Sequence, residues 1–174
     1  MPHIERALFV IGEQGDGKST QLRSMFRDFR FNTWGHIPSS PKIHSIYALS
    51  NERRLYLRLT SPHERDETQT KFHDKFKRIL RLGHRWNFAC PIQPDAFNQM
   101  PDAVETIIHF AGEFSPERVR AVFLSPNRKG LSKDPIKLKK MHDLLWKKKV
   151  ECISIDARTP DLNGKVLSDF FDFT

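Results

Sequence analysis

An unbroken apolar run, Ala7-Leu8-Phe9-Val10-Ile11, passes directly into Gly12-Glu13-Gln14-Gly15-Asp16-Gly17-Lys18-Ser19-Thr20, and a helical pattern follows. No other stretch constrains the fold as tightly. Five consecutive apolar residues fit a strand buried on both faces, the kind found where helices cover both sides of a parallel sheet. Leu22, Met25, Phe26 and Phe29 fall at i, i+3, i+4 and i+7 and predict a helix from Lys18 to Phe29, all four facing inward. Three glycines between strand and helix let the backbone curl until successive N–H groups converge on one point. That point lies at a helix N-terminus, whose dipole favours an anion.

The remaining chain alternates in the same manner. Phe31 to Pro41 carries Gly35, Pro38, Ser39, Ser40 and Pro41 and reads as a loop. Two strand-like runs, Lys42 to Leu49 and Arg54 to Thr60, flank a short polar connection and predict an antiparallel hairpin at a sheet edge. A helix is expected over Glu67 to Leu82, ending near Gly83, then a strand over Phe88 to Ile92. A second helix spans Asp102 to Ala111 and stops at Gly112. A strand covers Val119 to Ser125, and a helix with proline in its first turn covers Pro135 to Lys149. A strand over Val150 to Ile155 and a helix over Gly164 to Phe171 close the chain. The order is that of a single α/β domain over residues 1–174: a mostly parallel sheet with one antiparallel hairpin strand, layered between helices.

Composition narrows the classes. Of 174 residues, 38% are hydrophobic and 29% charged, which suits a packed globular chain. No apolar run approaches the roughly 20 residues of a membrane span, and Met1 to Arg6 has no signal-peptide character, so a cytoplasmic protein is expected. Cys90 and Cys152 each lie in an apolar run without metal-like spacing and are expected to be reduced core residues. The net charge of +8 is concentrated. Between Arg128 and Lys149 nine Lys or Arg stand against Asp134 and Asp143, a local +7. Such an excess draws a polyanion or an acidic protein partner, although a solvated helix face explains it equally well. Leu138, Met141, Leu145 and Trp146 are expected to face the core there.

Gly12 to Ser19 matches G-x-x-x-x-G-K-[ST], the Walker A pattern, so the chain resembles the P-loop NTPases. The resemblance implies the three-layer P-loop fold. It also implies that Gly12, Glu13, Gln14, Gly15, Asp16 and Gly17 wrap the phosphates, Lys18 reaches the β- and γ-phosphates, and Ser19 offers its hydroxyl to Mg²⁺. Thr20 would cap the helix or meet the α-phosphate. Within this class, Leu8 to Leu22 resembles the loop of thymidylate kinases, including Gly-Lys-Ser-Thr-Gln. It departs from them at Gln14, where an acid is usual, and no Asp-Arg pair or arginine-rich lid follows. The element order is similar to that of Ras-like small GTPases. Yet Ser61-Pro62-His63-Glu64 stands where they have Asp-x-x-Gly, and Pro126-Asn127-Arg128-Lys129 where they have Asn-Lys-x-Asp. Without that last acid nothing pairs with the guanine edge, so ATP is expected rather than GTP.

A carboxylate at the end of a neighbouring strand is needed beside Mg²⁺. Asp95, after the Phe88 strand, is one candidate ligand; Glu64 and Asp66 follow the Arg54 strand; Asp156 ends a strand expected at the far edge. Each equally suits a surface carboxylate. Glu64 is the candidate catalytic partner of Lys18, with His63 either positioning water beside it or being an ordinary surface histidine. Arg128 and Lys129, on a loop at the carboxyl edge of the sheet, are further candidates. The expected activity is Mg²⁺-dependent binding and slow hydrolysis of ATP, by a switch or an ATPase subunit of a larger assembly. Transfer of the γ-phosphate to a nucleotide or polynucleotide end, GTP binding, and a non-catalytic adaptor are the alternatives.

Overall fold

A computed structural model describes residues 3–37, 44–80 and 84–172 of the chain. Six strands form one sheet in the order β2-β3-β4-β1-β5-β6. They are β1 (His3–Ile11), β2 (His44–Ala48), β3 (Arg53–Arg58), β4 (Arg85–Ile92), β5 (Arg118–Leu124) and β6 (Glu151–Ile155). All neighbours are parallel except β2 and β3, which pair antiparallel at one edge, as the hairpin pattern predicts. Five helices connect them: α1 (Lys18–Ser24), α2 (Gln69–Ile79), α3 (Ala103–Phe114), α4 (Pro135–Trp146) and α5 (Pro160–Phe171).

Successive residues of a strand point to opposite faces, and β1 divides its apolar side chains accordingly. Phe9 and Ile11 join a core with Phe72 and Phe76 of α2, Ile107 and Phe110 of α3, and Met141 and Leu145 of α4. Leu8 and Val10 join a second core with Leu22 of α1 and Leu167 and Phe171 of α5. Helices therefore cover both faces. The first core is dense in rings, with Phe88 and Phe110 4.6 Å apart and Phe76 and Phe88 4.7 Å apart. Cys90 lies buried there and Cys152 half-buried, both unbridged, and burial pushes their thiols up to about 12 and about 11.

Several boundaries differ from the sequence expectation for identifiable reasons. The helix expected through Phe29 stops at Ser24 and continues as two short 3₁₀ turns, Met25–Arg27 and Phe29–Phe31. Asp28 is responsible: it is extended (φ −79°, ψ 127°), and its carboxylate accepts from the Arg30 N–H and guanidinium. Phe29 consequently points to solvent. Helix α3 passes through Gly112 because Phe114 still has an aromatic contact to make, 4.7 Å from Phe110; Ser115, left-handed at φ 46°, ends it. Helix α4 ends at Trp146, with Lys149 at φ 60° turning the chain into β6. Trp146 is 64% exposed, contrary to expectation, since it falls outside the stripe of Leu138, Met141 and Leu145. Helix α5 starts at Pro160, four residues before Gly164. That glycine marks a close approach instead: a Cβ there would lie 2.3 Å from the Ser24 carbonyl oxygen. The expected stop near Gly83, and Pro38 to Lys42, lie outside the described residues.

Candidate functional site

The chain leaves β1 for α1 on one face of the sheet, whereas the neighbouring strands β4 and β5 lead to α3 and α4 on the other. Neighbouring strands that send their chains to opposite faces leave a crevice outside their carboxyl ends. The glycine loop sits in that crevice. Gly12 closes the last rung of the ladder by donating to the Ile92 carbonyl. Gly15 (φ 87°) and Gly17 (φ 99°) are left-handed, a conformation that disfavours other residues. Gly17 brings the chain to the first residue of α1, and no side chain caps that helix.

Lys18 is 5% exposed, yet it carries an ammonium group. Its Nζ donates to the Glu13 carbonyl at 2.8 Å, inside the loop, and to Glu64 Oε1 at 3.4 Å, across it. Burial lowers its pKa, and the Glu64 carboxylate works against that shift. Ser19 donates its hydroxyl to the Leu59 carbonyl, just beyond β3. The glycine loop and the turn after β3 are thus joined by two consecutive side chains of α1. Thr20 is exposed.

That turn is itself braced. Glu64 Oε2 accepts from the Ser61 N–H at 3.3 Å. At its far end Glu67, buried, accepts from Arg58 at 2.8 Å and from Lys75 at 2.6 Å. The Arg58 guanidinium stands 5.4 Å from the centre of the Phe72 ring. His63 is fully buried, which corrects the reading of it as an ordinary surface histidine. Its Nε2 donates to the Pro101 carbonyl at 2.8 Å and its Nδ1 faces the Ser61 hydroxyl at 3.1 Å. Burial lowers its pKa, and the ring braces the turn after β3 against the segment before α3 while lining the polar cleft beside Glu64. Between the loop and the turn opens a polar cleft of about 560 Å³, with Gln14 and Glu64 on opposite walls and Gln93 from the end of β4 between them.

On the other side, the loop after β5 holds the glycine loop from beneath through Asp16. This buried carboxylate accepts from the Glu13 N–H at 2.7 Å and from Asn127 Nδ2 at 2.8 Å, and pairs with Lys133 at 2.9 Å. Lys133 also reaches Glu13 at 2.7 Å. The Arg128 N–H donates to the Asp16 carbonyl, and the Arg128 side chain packs against Gly17. Burial alone would raise the Asp16 pKa, but the hydrogen bonds from Lys133, Asn127 and the Glu13 N–H outweigh it and hold the carboxyl below its ordinary range. Sequence reasoning reached Lys18, Ser19, Glu64 and Arg128 but missed Asn127 and Lys133 as partners of Asp16. The one available signal was an acid wedged between two glycines.

The acids offered as metal partners separate. Glu64 stands beside Lys18. Both oxygens of Asp95 accept from Lys137 of α4, at 2.6 and 2.7 Å, and no contact joins it to Ser19. Asp66 accepts from Asn98 and lines the same cleft as Glu64, whereas Asp156 pairs with Arg158 just beyond β6, the edge strand. Among the described residues no three of His, Cys, Asp and Glu cluster as metal ligands, and no helix is long and apolar enough to cross a membrane. No protein-family model matches the chain, and no curated protein matches it either.

Proposed function

We propose that the chain is a P-loop NTPase that binds ATP with Mg²⁺ on the loop Gly12 to Thr20 and hydrolyses it slowly, as a switch or a subunit of a larger assembly. One observation carries the reading: the buried Lys18 ammonium, held between the Glu13 carbonyl and the Glu64 carboxylate, two residues that line a polar cleft. A desolvated cation is costly unless an anion balances it, and a carbonyl plus a carboxylate at 3.4 Å balance it weakly. A phosphate is a stronger partner, through charge-assisted hydrogen bonds.

The residues present suit Mg²⁺, a hard cation that takes oxygen donors. The Ser19 hydroxyl, once it leaves the Leu59 carbonyl, and the Glu64 carboxylate are the oxygen donors that would hold it, and it would neutralise phosphate charge. Lys18 then exchanges Glu13 and Glu64 for phosphate oxygens. Among the described residues no lysine or arginine lines that cleft, which supports slow turnover.

ATP is favoured over GTP by the loop after β5. Asn127 is engaged by Asp16, and Arg128, Lys129 and Gly130 follow without an acid for a guanine edge. Competition of unlabelled ATP and GTP against a fluorescent ATP analogue tests this. ATP should displace the analogue at lower concentration; equal or better displacement by GTP overturns the base assignment.

A further inference from the structure

The outer face of α4 combines two properties that the charge count alone does not reveal. Lys139, Lys140 and Lys147 are exposed, as the basic segment predicts. Among them, Ile136 is 79% exposed and Leu144 40%, with Trp146 at the end of the same helix. Ile136, Leu144 and the three lysines, with Asp143, line a shallow groove of about 390 Å³ along this face. Met141 and Leu145 bury the opposite side of the helix in the core, so the exposed apolar stripe is additional to what the fold uses. Isolated surface apolar residues are ordinary, but apolar residues set among mostly positive charge mark an interaction surface.

We propose that this face docks an acidic amphipathic helix of a partner protein. The chemistry selects that occupant over the two other polyanions a basic face attracts. Phosphate backbones offer nothing to Ile136 and Leu144, and one face of the Trp146 ring is turned to His142, stacked at 7° and 6.3 Å, which blunts it as a platform for bases. Asp143 lies in the groove, where a uniformly anionic phosphate backbone or headgroup layer must meet it, whereas a helix can set an uncharged or basic residue opposite it. A helix with apolar residues at i, i+4 and i+7 fits the groove. Ile136 and Leu144 are eight residues apart, about 12 Å along the axis, two turns of a partner. Acidic residues flanking its apolar stripe would meet Lys139, Lys140 and Lys147.

The face is also wired to the glycine loop. Lys137, in the first turn of α4, pairs with Asp95 beyond β4, and Lys133, just before the helix, pairs with Glu13 and Asp16. A partner on α4 therefore bears on the segment that positions the carbonyl holding Lys18.

The test uses the whole protein and a fluorescein-labelled 20-residue peptide with leucines at i, i+3, i+4 and i+7 and glutamates beside them. A scrambled peptide of the same composition, a 20-nucleotide oligothymidine and phosphatidylserine vesicles run alongside. The amphipathic peptide should bind at least tenfold more tightly than the scrambled one, read by anisotropy. Ile136→Ser with Leu144→Ser, and separately Lys139→Glu with Lys140→Glu and Lys147→Glu, should each weaken it at least tenfold with unchanged circular dichroism. The proposal is overturned by absence of peptide binding, by indifference to either variant, or by tighter binding of the oligonucleotide or the vesicles.

Discussion

Removing the Asp16 carboxylate isolates the brace beneath the glycine loop. Asp16→Ala deletes two hydrogen bonds, to the Glu13 N–H and Asn127 Nδ2, and an ion pair with Lys133. Hydrogen bonds to a charged group contribute about 1.5–3 kcal/mol each. The Lys133 partner keeps Glu13 and is partly exposed, so its share is small. The expected loss is about 3–6 kcal/mol, or roughly 6–24 °C in melting temperature for a chain of this size. Urea denaturation followed by circular dichroism measures it. The pH dependence gives a second handle. The folded carboxyl lies below its ordinary range, so its contribution is complete above the unfolded value near about 4 and fades as pH falls through the folded value. The gap between the native protein and Asp16→Asn should therefore narrow in acid. A loss under about 0.5 kcal/mol, the size of an ordinary surface change, refutes the brace.

Gly164→Ala forces a Cβ against the Ser24 carbonyl between α5 and α1. It should cost about 1–3 kcal/mol in urea melts, and an unchanged midpoint contradicts the close packing. Glu67→Ala leaves Arg58 buried without its carboxylate and should cost about 3–5 kcal/mol, whereas Arg58→Met with Glu67→Leu should recover more than half of that loss. A double variant no more stable than the single one counts against the pair as a coupled unit.

Much of the architecture was legible because it follows from local chemistry. The apolar run of β1, the three glycines after it and the hairpin of β2 and β3 each correspond to one conformation with few competitors. What escaped depends on tertiary partners. Nothing local distinguishes Phe29 pointing out from Phe26 pointing in; the Asp28–Arg30 interaction that breaks the helix decides it. Gly112 resembles a helix stop until Phe114 finds Phe110. Gly164 resembles a helix start until Ser24 lies against it. At the site, Lys18, Ser19 and the loop are contiguous and readable. Asn127 and Lys133 stand more than a hundred residues from Asp16, and only the sheet order brings them together. His63 looked like a surface histidine because Pro101, its partner, lies 38 residues away.

Calorimetric titration with a non-hydrolysable ATP analogue and Mg²⁺ bears most directly on the central claim, comparing the native chain with Lys18→Ala. The native protein should bind with a stoichiometry near one. The variant, folded by circular dichroism, should bind at least about tenfold more weakly, as expected for loss of a charge-assisted phosphate contact. Unchanged affinity in the folded variant, or no binding by the native protein, contradicts a phosphate site at this loop.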